Sequence, residues 1–313
     1  MKDNTPIIIA GPTASGKTAI ALALAKMLNA DIISADSRQV YQLLPIGTAA
    51  PKGVWQGGNY KVEGINYHLV DFLPIDKTFD VSQFAAAAEA LEAKGGQYIF
   101  AGGTGMYLQG YFCGMDNLPK ADAALRQELK SIAEQKGKEY LHAMLAKIDP
   151  KSAEEIPAGN IQRVMRALEI YRLSGKPASV LRSGKFKAEI PQSKAKMVYL
   201  NWDKELLSKR IEERTNLIFD GMASEAKAAL ELGCSEDAPG LKSLGYKEAL
   251  EYLKGNLNKP LAINQISTLT RQYAKRQRTW FKRYPNMFIL DFNAADFNAE
   301  EAAKRIIKWK EQF

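Results

Sequence analysis

The sequence predicts an α/β fold, a mostly parallel sheet flanked by helices with a helical insertion, on three observations. The run Ile7-Ile8-Ile9-Ala10 is continuously apolar and β-branched and stops at Gly11, as a strand buried on both faces does. Strand-like and helix-like segments then alternate through the first third of the chain. After Pro119 the texture turns helical and charged, and strand-like sequence resumes only at Lys196.

Each element follows from its own residues. Residues 18–29 place Ile20, Leu22, Leu24, Met27 and Leu28 at helical intervals, and 31–35 (DIISA) read as a second short strand. Residues 68–72 and 98–101 read as further strands, with an alanine-rich helix over 81–94 between them. Residues 121–174 read as helical, and the Gly/Pro/Ser/Lys-rich stretch 174–194 as a loop or mobile arm. A strand at 196–200, helices over 204–232, a strand at 287–290 and a helix over 298–312 complete the chain. Residues 1–118 and 196–313 are therefore expected to form one core, and 119–195 a helical insertion.

At 313 residues the chain exceeds one average domain, and 46% hydrophobic with 25% charged residues is an ordinary globular composition. Cys113 and Cys234 are the only cysteines and lack His/Cys companions at ligand spacing. That pattern excludes a disulfide framework or a zinc finger and suits a reducing cytosol. The first apolar run is too short for a signal peptide, and nowhere do about eighteen apolar residues run together. A cytoplasmic, monomeric protein with no membrane partner is the expectation. The net charge is +8, and between Arg271 and Arg283 there are six Lys/Arg and no acid. Such a tract is either a solvated helix face or a surface for a polyanion.

The strongest motif is Gly11-Pro12-Thr13-Ala14-Ser15-Gly16-Lys17-Thr18, a full G-x-x-x-x-G-K-[ST] between a strand and a helix. Glycines let backbone amides turn toward phosphate oxygens, the helix N-terminus favours anions, Lys17 adds a point charge and Thr18 can ligate Mg²⁺. A P-loop NTPase-like core follows. The motif does not identify the phosphate compound.

Ligands of open α/β sheets bind beyond the carboxyl ends of the strands. Asp36-Ser37-Arg38-Gln39 follows the second strand there, and Gly102-Gly103-Thr104-Gly105 follows the strand at 98–101. Asp36 is a candidate general base beside the phosphate site, or a helix N-cap. The glycines around Thr104 suit close approach to a ligand, or a tight turn made for packing. Asp71 carries a weak resemblance to a magnesium aspartate, with a structural role favoured.

The phosphate loop, Ala35-Asp36-Ser37-Arg38-Gln39-Val40-Tyr41, Ile46-Gly47-Thr48-Ala49 and Gly102-Gly103-Thr104-Gly105-Met106-Tyr107 together resemble the tRNA dimethylallyltransferases. So do Gln162-Arg163-Val164-Met165-Arg166-Ala167-Leu168-Glu169, Ser243-Leu244-Gly245-Tyr246 and Lys275-Arg276-Gln277-Arg278-Thr279-Trp280-Phe281. The blocks run from about Ile8 to Trp280 in the family's order, and the missing C-terminal zinc finger favours its bacterial branch.

The resemblance implies transfer of a dimethylallyl group from its diphosphate to the exocyclic N6 amine of the adenosine 3′ of the anticodon. It implies that Gly11 to Thr18 hold the prenyl diphosphate rather than ATP, with Mg²⁺ as cofactor on Thr18 and Arg214 assisting at the donor. Asp36 would engage the adenine amine, Thr104 would contact the diphosphate bridge, and Ser37, Arg38 and Gln39 would touch the flipped base or its neighbours. Arg126, Gln162, Arg163, Val164, Met165 and Arg166 fall where family members contact tRNA, the insertion gripping the anticodon stem-loop. Lys275, Arg276, Gln277, Arg278, Thr279, Trp280, Phe281 and Lys282 fall on a second such stretch. By residue pattern alone, Trp280 and Phe281 read as core anchors, whereas Lys275, Arg278 and Lys282 share one helix face.

The chemistry is coherent with the residues. An allylic diphosphate ionises readily, so the protein must stabilise charge on the leaving diphosphate, and the aspartate-rich motif of many prenyl synthases is absent. A P-loop nucleotide or nucleoside kinase and an adenylate isopentenyltransferase acting on free AMP or ADP share the loop. Neither accounts for the basic tract. A purely RNA-binding protein leaves the loop without use.

Overall fold

The computed structural model describes residues 5–185, 188–293 and 297–312. The chain forms two compact units, Met1–Cys113 with Glu189–Phe313, and Gly114–Ala188. The limits of 119 and 195 expected for the insertion move to 114 and 188.

The first unit is built on an eight-stranded sheet of β1 (Ile7–Ala10), β2 (Asp31–Ser34), β3 (Val54–Gln56), β4 (Asn59–Val62), β5 (Ile65–His68), β6 (Tyr98–Gly102), β7 (Lys196–Trp202) and β8 (Phe288–Phe292), in the order β3-β4-β5-β2-β6-β1-β7-β8. All four residues of β1 are buried because it lies at the sheet's interior, parallel to both β6 and β7. The register pairs Ala10 with Gly102 and Ser34 with Ala101. The segments leaving β1, β2 and β6 therefore start at one level of one sheet edge. That alignment builds the site.

The strand expected at 68–72 is corrected: β5 ends at His68, and Leu69 and Asp71 take left-handed φ values of 60° and 51°. Strands β3, β4 and β5 form an antiparallel meander that sequence patterning missed. Its turns are Gly57-Gly58 and Glu63-Gly64, all at positive φ, the backbone that matches the twist of a tight hairpin. Asp71 accepts a hydrogen bond from Trp55 Nε1 at 3.2 Å, a structural use.

Helix α1 (Lys17–Leu28) and the C-terminal helix (Ala299–Lys310) share a core with the sheet through Ile7, Ile9, Ile20, Leu24, Trp202 and Ile306. Helices α2 (Val81–Glu92) and α3 (Gly105–Cys113) adjoin β6 in sequence. The start of α2 is fixed by a capping box in which Asp80 accepts from the Ser82 and Gln83 amides and Gln83 reaches back to the Asp80 amide.

In the second unit α4 (Ala123–Lys136), α5 (Lys138–Ile148), α6 (Pro150–Glu155), α7 (Ile161–Ser174) and α8 (Ala178–Leu181) enclose Leu129, Leu141, Leu145, Ile156, Val164 and Leu168. Asp122, Asp149 and Asn160 cap α4, α6 and α7 by accepting from first-turn amides. Part of the stretch expected to be a loop is the short helix α8, whose Ser179 amide and hydroxyl both donate to Asp149. Residues 186–187 of that stretch lie outside the described residues.

Returning to the first unit, α9 (Lys204–Glu231), α10 (Tyr246–Leu253) and α11 (Lys259–Phe281) surround a separate core of Phe219, Met222, Tyr246, Leu250 and Ile266, into which Val40 and Leu44 also pack. The helix after β8 is α12.

Candidate active site

The sheet edge opens into a cavity of about 480 Å³ lined by Thr13 to Thr18, Asp36, Gln39, Thr48, Ala49, Tyr67, Ala101, Gly102, Arg210, Glu213, Arg214, Leu217 and Gln277. The phosphate loop forms one wall. Gly16 precedes α1 at φ 87°, where a side chain would be strained and would also strike the Phe297 ring. Lys17 Nζ donates to the carbonyls of Gly11 and Pro12 at 3.1 and 2.8 Å, folded back along the loop. Burial lowers the Lys17 pKa to about 8; the Asp36 carboxylate opposes that shift and Arg214 adds to it. Ser15 Oγ is buried with no hydrogen-bond partner among the described residues.

Three distant segments hold the loop in shape. Arg210 Nε donates to Ala14 O at 3.0 Å, with its guanidinium 4.3 Å from the Trp202 ring centroid and 5.2 Å from that of Phe297. Trp202 Nε1 donates to Ser15 O at 3.0 Å. Arg214 Nη2 donates to the Thr13 hydroxyl at 3.1 Å, and the Thr13 amide donates to Gln277 Oε1 at 2.7 Å. Arg210, Trp202 and Phe297 carry no signal in the sequence, since each acts across a long separation.

Asp36 lines the same cavity and shifts the titration of both Lys17 and Arg214. It caps no helix; Asp36 Oδ1 accepts from the Arg38 amide at 2.9 Å within a local turn. Thr104 does not line the cavity. Its hydroxyl accepts from the Ser37 amide at 3.0 Å, and its own amide donates to Ala35 O at 3.0 Å. The glycines beside it serve protein packing: a side chain would strike the Ala35 backbone at Gly102, Gln277 at Gly103 and Trp280 at Gly105. Tyr67, almost fully buried, lines the same cavity and hydrogen-bonds Thr18. The sequence did not point to it.

Several residues expected to touch tRNA are occupied otherwise. Gln277 is buried and bridges Thr13 to Gly103 O. Gln39 is buried between Ser34 and Ala49 O. Phe281 and Val164 are fully buried core residues, and Met165 packs against the same core as Val164. Trp280 is half-buried against Gly105, with the Arg283 guanidinium 3.9 Å above its ring. Arg126 and Arg166 both pair with the buried carboxylate of Glu169, whose pKa they hold below the usual range against the opposing effect of burial. Arg38 reaches Pro239 O. Gln162, Arg163, Lys275, Arg276, Thr279 and Lys282 are exposed, and Arg278 is half-exposed.

For magnesium, the residues present fit in one specific way. Among the described residues no group of three or more His, Cys, Asp or Glu could hold a metal. The Thr18 hydroxyl is one hard oxygen donor at the cavity wall. Mg²⁺ commonly takes one or two protein ligands and completes its shell with substrate phosphate oxygens and water. The cavity suits an ion that arrives with a diphosphate.

The chain matches two family models, IPP transferase over residues 39–284 and isopentenyl transferase over residues 6–56. It is 54% identical to the tRNA dimethylallyltransferase of Elusimicrobium minutum, covering 97% of this chain and 99% of that protein. With the tRNA dimethylallyltransferase of Acetivibrio thermocellus it shares 37% identity over 98% and 97% of the two chains. Among solved structures, the tRNA isopentenylpyrophosphate transferase of Bacillus halodurans superposes with a TM-score of 0.68 at 32% identity, covering 99% and 96%. A eukaryotic dimethylallyltransferase acting on tRNA gives 0.73 at 26% identity, covering 97% of this chain and 78% of that one. Among the described residues no helix is long and apolar enough to cross a membrane. Family-model coverage, identity along nearly the whole length and a shared fold agree: the chain belongs to the IPP transferase family, that of the tRNA dimethylallyltransferases.

Proposed function

We propose that this protein transfers the dimethylallyl group of dimethylallyl diphosphate to the N6 amine of the adenosine immediately 3′ of the anticodon in tRNA, releasing diphosphate. The observation that carries this reading is the shared cavity. The phosphate loop with Lys17, Arg214 and the Asp36 carboxylate all line it, close enough that Asp36 acts on the charge of both cations.

The diphosphate lies against the phosphate loop, beside Lys17 and Arg214, with the Thr13 and Ser15 amides already engaged by Gln277 and Pro12 O. Ionisation breaks the bond between the allylic carbon and the diphosphate oxygen, and the electron pair leaves with diphosphate. Charge grows there, beside the Lys17 and Arg214 cations that the fold already holds at the loop, and their field stabilises it. Magnesium, when bound at Thr18, supplies further neutralisation of that charge. The adenine N6 lone pair forms the new carbon–nitrogen bond, and the N6 proton passes to the Asp36 carboxylate. Thr104 acts by holding the Ser37 amide, and so the Asp36 turn, in place.

The adenine must leave its stack to reach this position, as bases modified by enzymes commonly do. Exposed Lys275, Arg276 and Lys282 on α11 are suited to RNA phosphates, which position RNA without reading its sequence. Gln162 and Arg163 are suited to the same role on the second unit. The test is incubation with magnesium, dimethylallyl diphosphate and unmodified tRNA, followed by nucleoside analysis, with parallel reactions on AMP and with ATP. A prenylated adenosine in tRNA alone is expected. Prenylated AMP without tRNA product, or phosphoryl transfer from ATP, would replace this reading with one of its rivals.

A further inference from the structure

Two sequence blocks, Ile46-Gly47-Thr48-Ala49 and Ser243-Leu244-Gly245-Tyr246, have no role in the chemistry above, and the structure joins them through one carboxylate. Glu225 accepts from the Ile46 amide at 2.6 Å with Oε1, and from the Gly47 amide at 2.9 Å and the Tyr246 hydroxyl at 2.6 Å with Oε2. Tyr246 is fully buried, and a side chain at Gly47 would strike its ring. The Tyr246 pKa is raised by burial and by Glu225, so its hydroxyl stays a donor. The two residues that follow this clamp, Thr48 and Ala49, line the cavity, and Ala49 is held at a left-handed φ of 52° with its carbonyl accepting from Gln39.

Helical spacing links the clamp to the phosphate loop. Arg210, Arg214, Leu217, Gly221 and Glu225 of α9 are four, three, four and four apart, which places them along one face. The first two grip the phosphate loop and the last grips residues 46–47, with Ile46 seated against Gly221. Leu217 falls between the two grips, lines the cavity and is 84% exposed. A large apolar side chain left exposed on the lining of a cavity is suited to hydrocarbon.

We propose that Glu225 and Tyr246 are positioning residues that set the Thr48–Ala49 wall against Leu217, and that this gap receives the five-carbon chain of the donor. The inference rests on the function proposed above and deepens it by separating the hydrocarbon subsite from the diphosphate cradle. The clamp touches no reacting atom.

The experiment compares binding of dimethylallyl diphosphate and of inorganic diphosphate, each with magnesium, to the wild type, Tyr246→Phe and Glu225→Gln. Tyr246→Phe keeps the buried ring and removes one hydroxyl, and Glu225→Gln keeps the shape and leaves a single acceptor. Loss of a charge-assisted hydrogen bond predicts Kd for dimethylallyl diphosphate about tenfold higher in both variants. Inorganic diphosphate should bind within about twofold of the wild type, because the phosphate loop keeps its own supports. Unchanged affinity for both compounds overturns the proposal. So does equal weakening of both, which makes the pair a support of the whole fold. Failure of the wild type to bind either compound counts against the function proposed above.

Discussion

Gln277 Oε1 accepts the Thr13 amide at 2.7 Å across a separation of 264 residues, while its Nε2 donates to Gly103 O at 3.1 Å. One buried side chain thus ties the phosphate loop to the segment leaving β6. Replacing it by Ala strands the buried Gly103 carbonyl, at a cost of about 1–3 kcal/mol, and frees the part-buried Thr13 amide at the cavity wall. Gln277→Ala is expected to lower unfolding stability and to weaken diphosphate binding, with tRNA affinity unchanged. Denaturant titration and filter binding check the two halves separately. A selective loss of tRNA binding would return Gln277 to the RNA surface.

Arg214 is half-buried beside the loop and donates to the Thr13 hydroxyl. Arg214→Ala removes that bond and a positive charge beside the leaving group, so kcat/KM for the donor should fall at least about tenfold, equivalent to about 1.4 kcal/mol. Steady-state kinetics with saturating tRNA measures this. An unaltered kcat/KM would place the diphosphate away from α9.

The Lys17 ammonium gives a pH dependence of definite sign. Its pKa in the free protein is about 8, below the ordinary lysine value because burial outweighs the attraction of Asp36. A bound diphosphate favours the charged form, so the complex holds a proton that the free protein loses above that pH. Affinity for inorganic diphosphate should be flat below about pH 8 and weaken above it, as the free protein loses that proton. Stability moves the other way. The unfolded chain keeps this proton up to its ordinary pKa, near 10.4, so the Lys17 contribution to stability rises with pH between the two values. Titration calorimetry across this range, repeated on Lys17→Met, isolates the group.

The exposed cations of α11 predict a salt effect. Phosphate contacts release counterions, so tRNA affinity should fall steeply with salt, by a slope of about −0.7 to −0.9 per phosphate neutralised. Replacing Lys275, Arg276 and Lys282 together by Ala should flatten that slope by about two. An unchanged slope would assign the tract to a solvated helix face.

The parts of the fold that are local in sequence were legible in it. The phosphate loop, its buried strand and its helix are contiguous, and Asp36 sits two residues past β2 at an edge fixed by parallel register. The antiparallel meander was missed although Gly57-Gly58 and Glu63-Gly64 carry its turn chemistry, because its short strands (VWQ, NYKV, INYH) lack the continuous apolar run that marks β1. The burial of Gln277 was legible in principle. It falls on the stripe Ile266, Thr270, Ala274, Gln277, Phe281, three and four apart, that turns α11 inward, whereas Lys275 and Lys282 lie off it. Family blocks obscured that face by treating consecutive residues alike. Val164 was misread for the same reason, since exposed Gln162 and Arg163 precede it on the first turn of α7. The supports from Arg210, Trp202 and Tyr67 depend on tertiary contact alone.

The division of labour between cradle and carboxylate is tested most directly by Asp36→Ala in a single-turnover reaction with dimethylallyl diphosphate and unmodified tRNA, with both binding affinities measured on the same preparation. Donor and tRNA should each bind within about threefold of the wild type while formation of prenylated adenosine falls by about 10²–10⁴-fold, the range of a lost general base. Prenyl transfer at the wild-type rate by the Asp36→Ala protein would contradict the account.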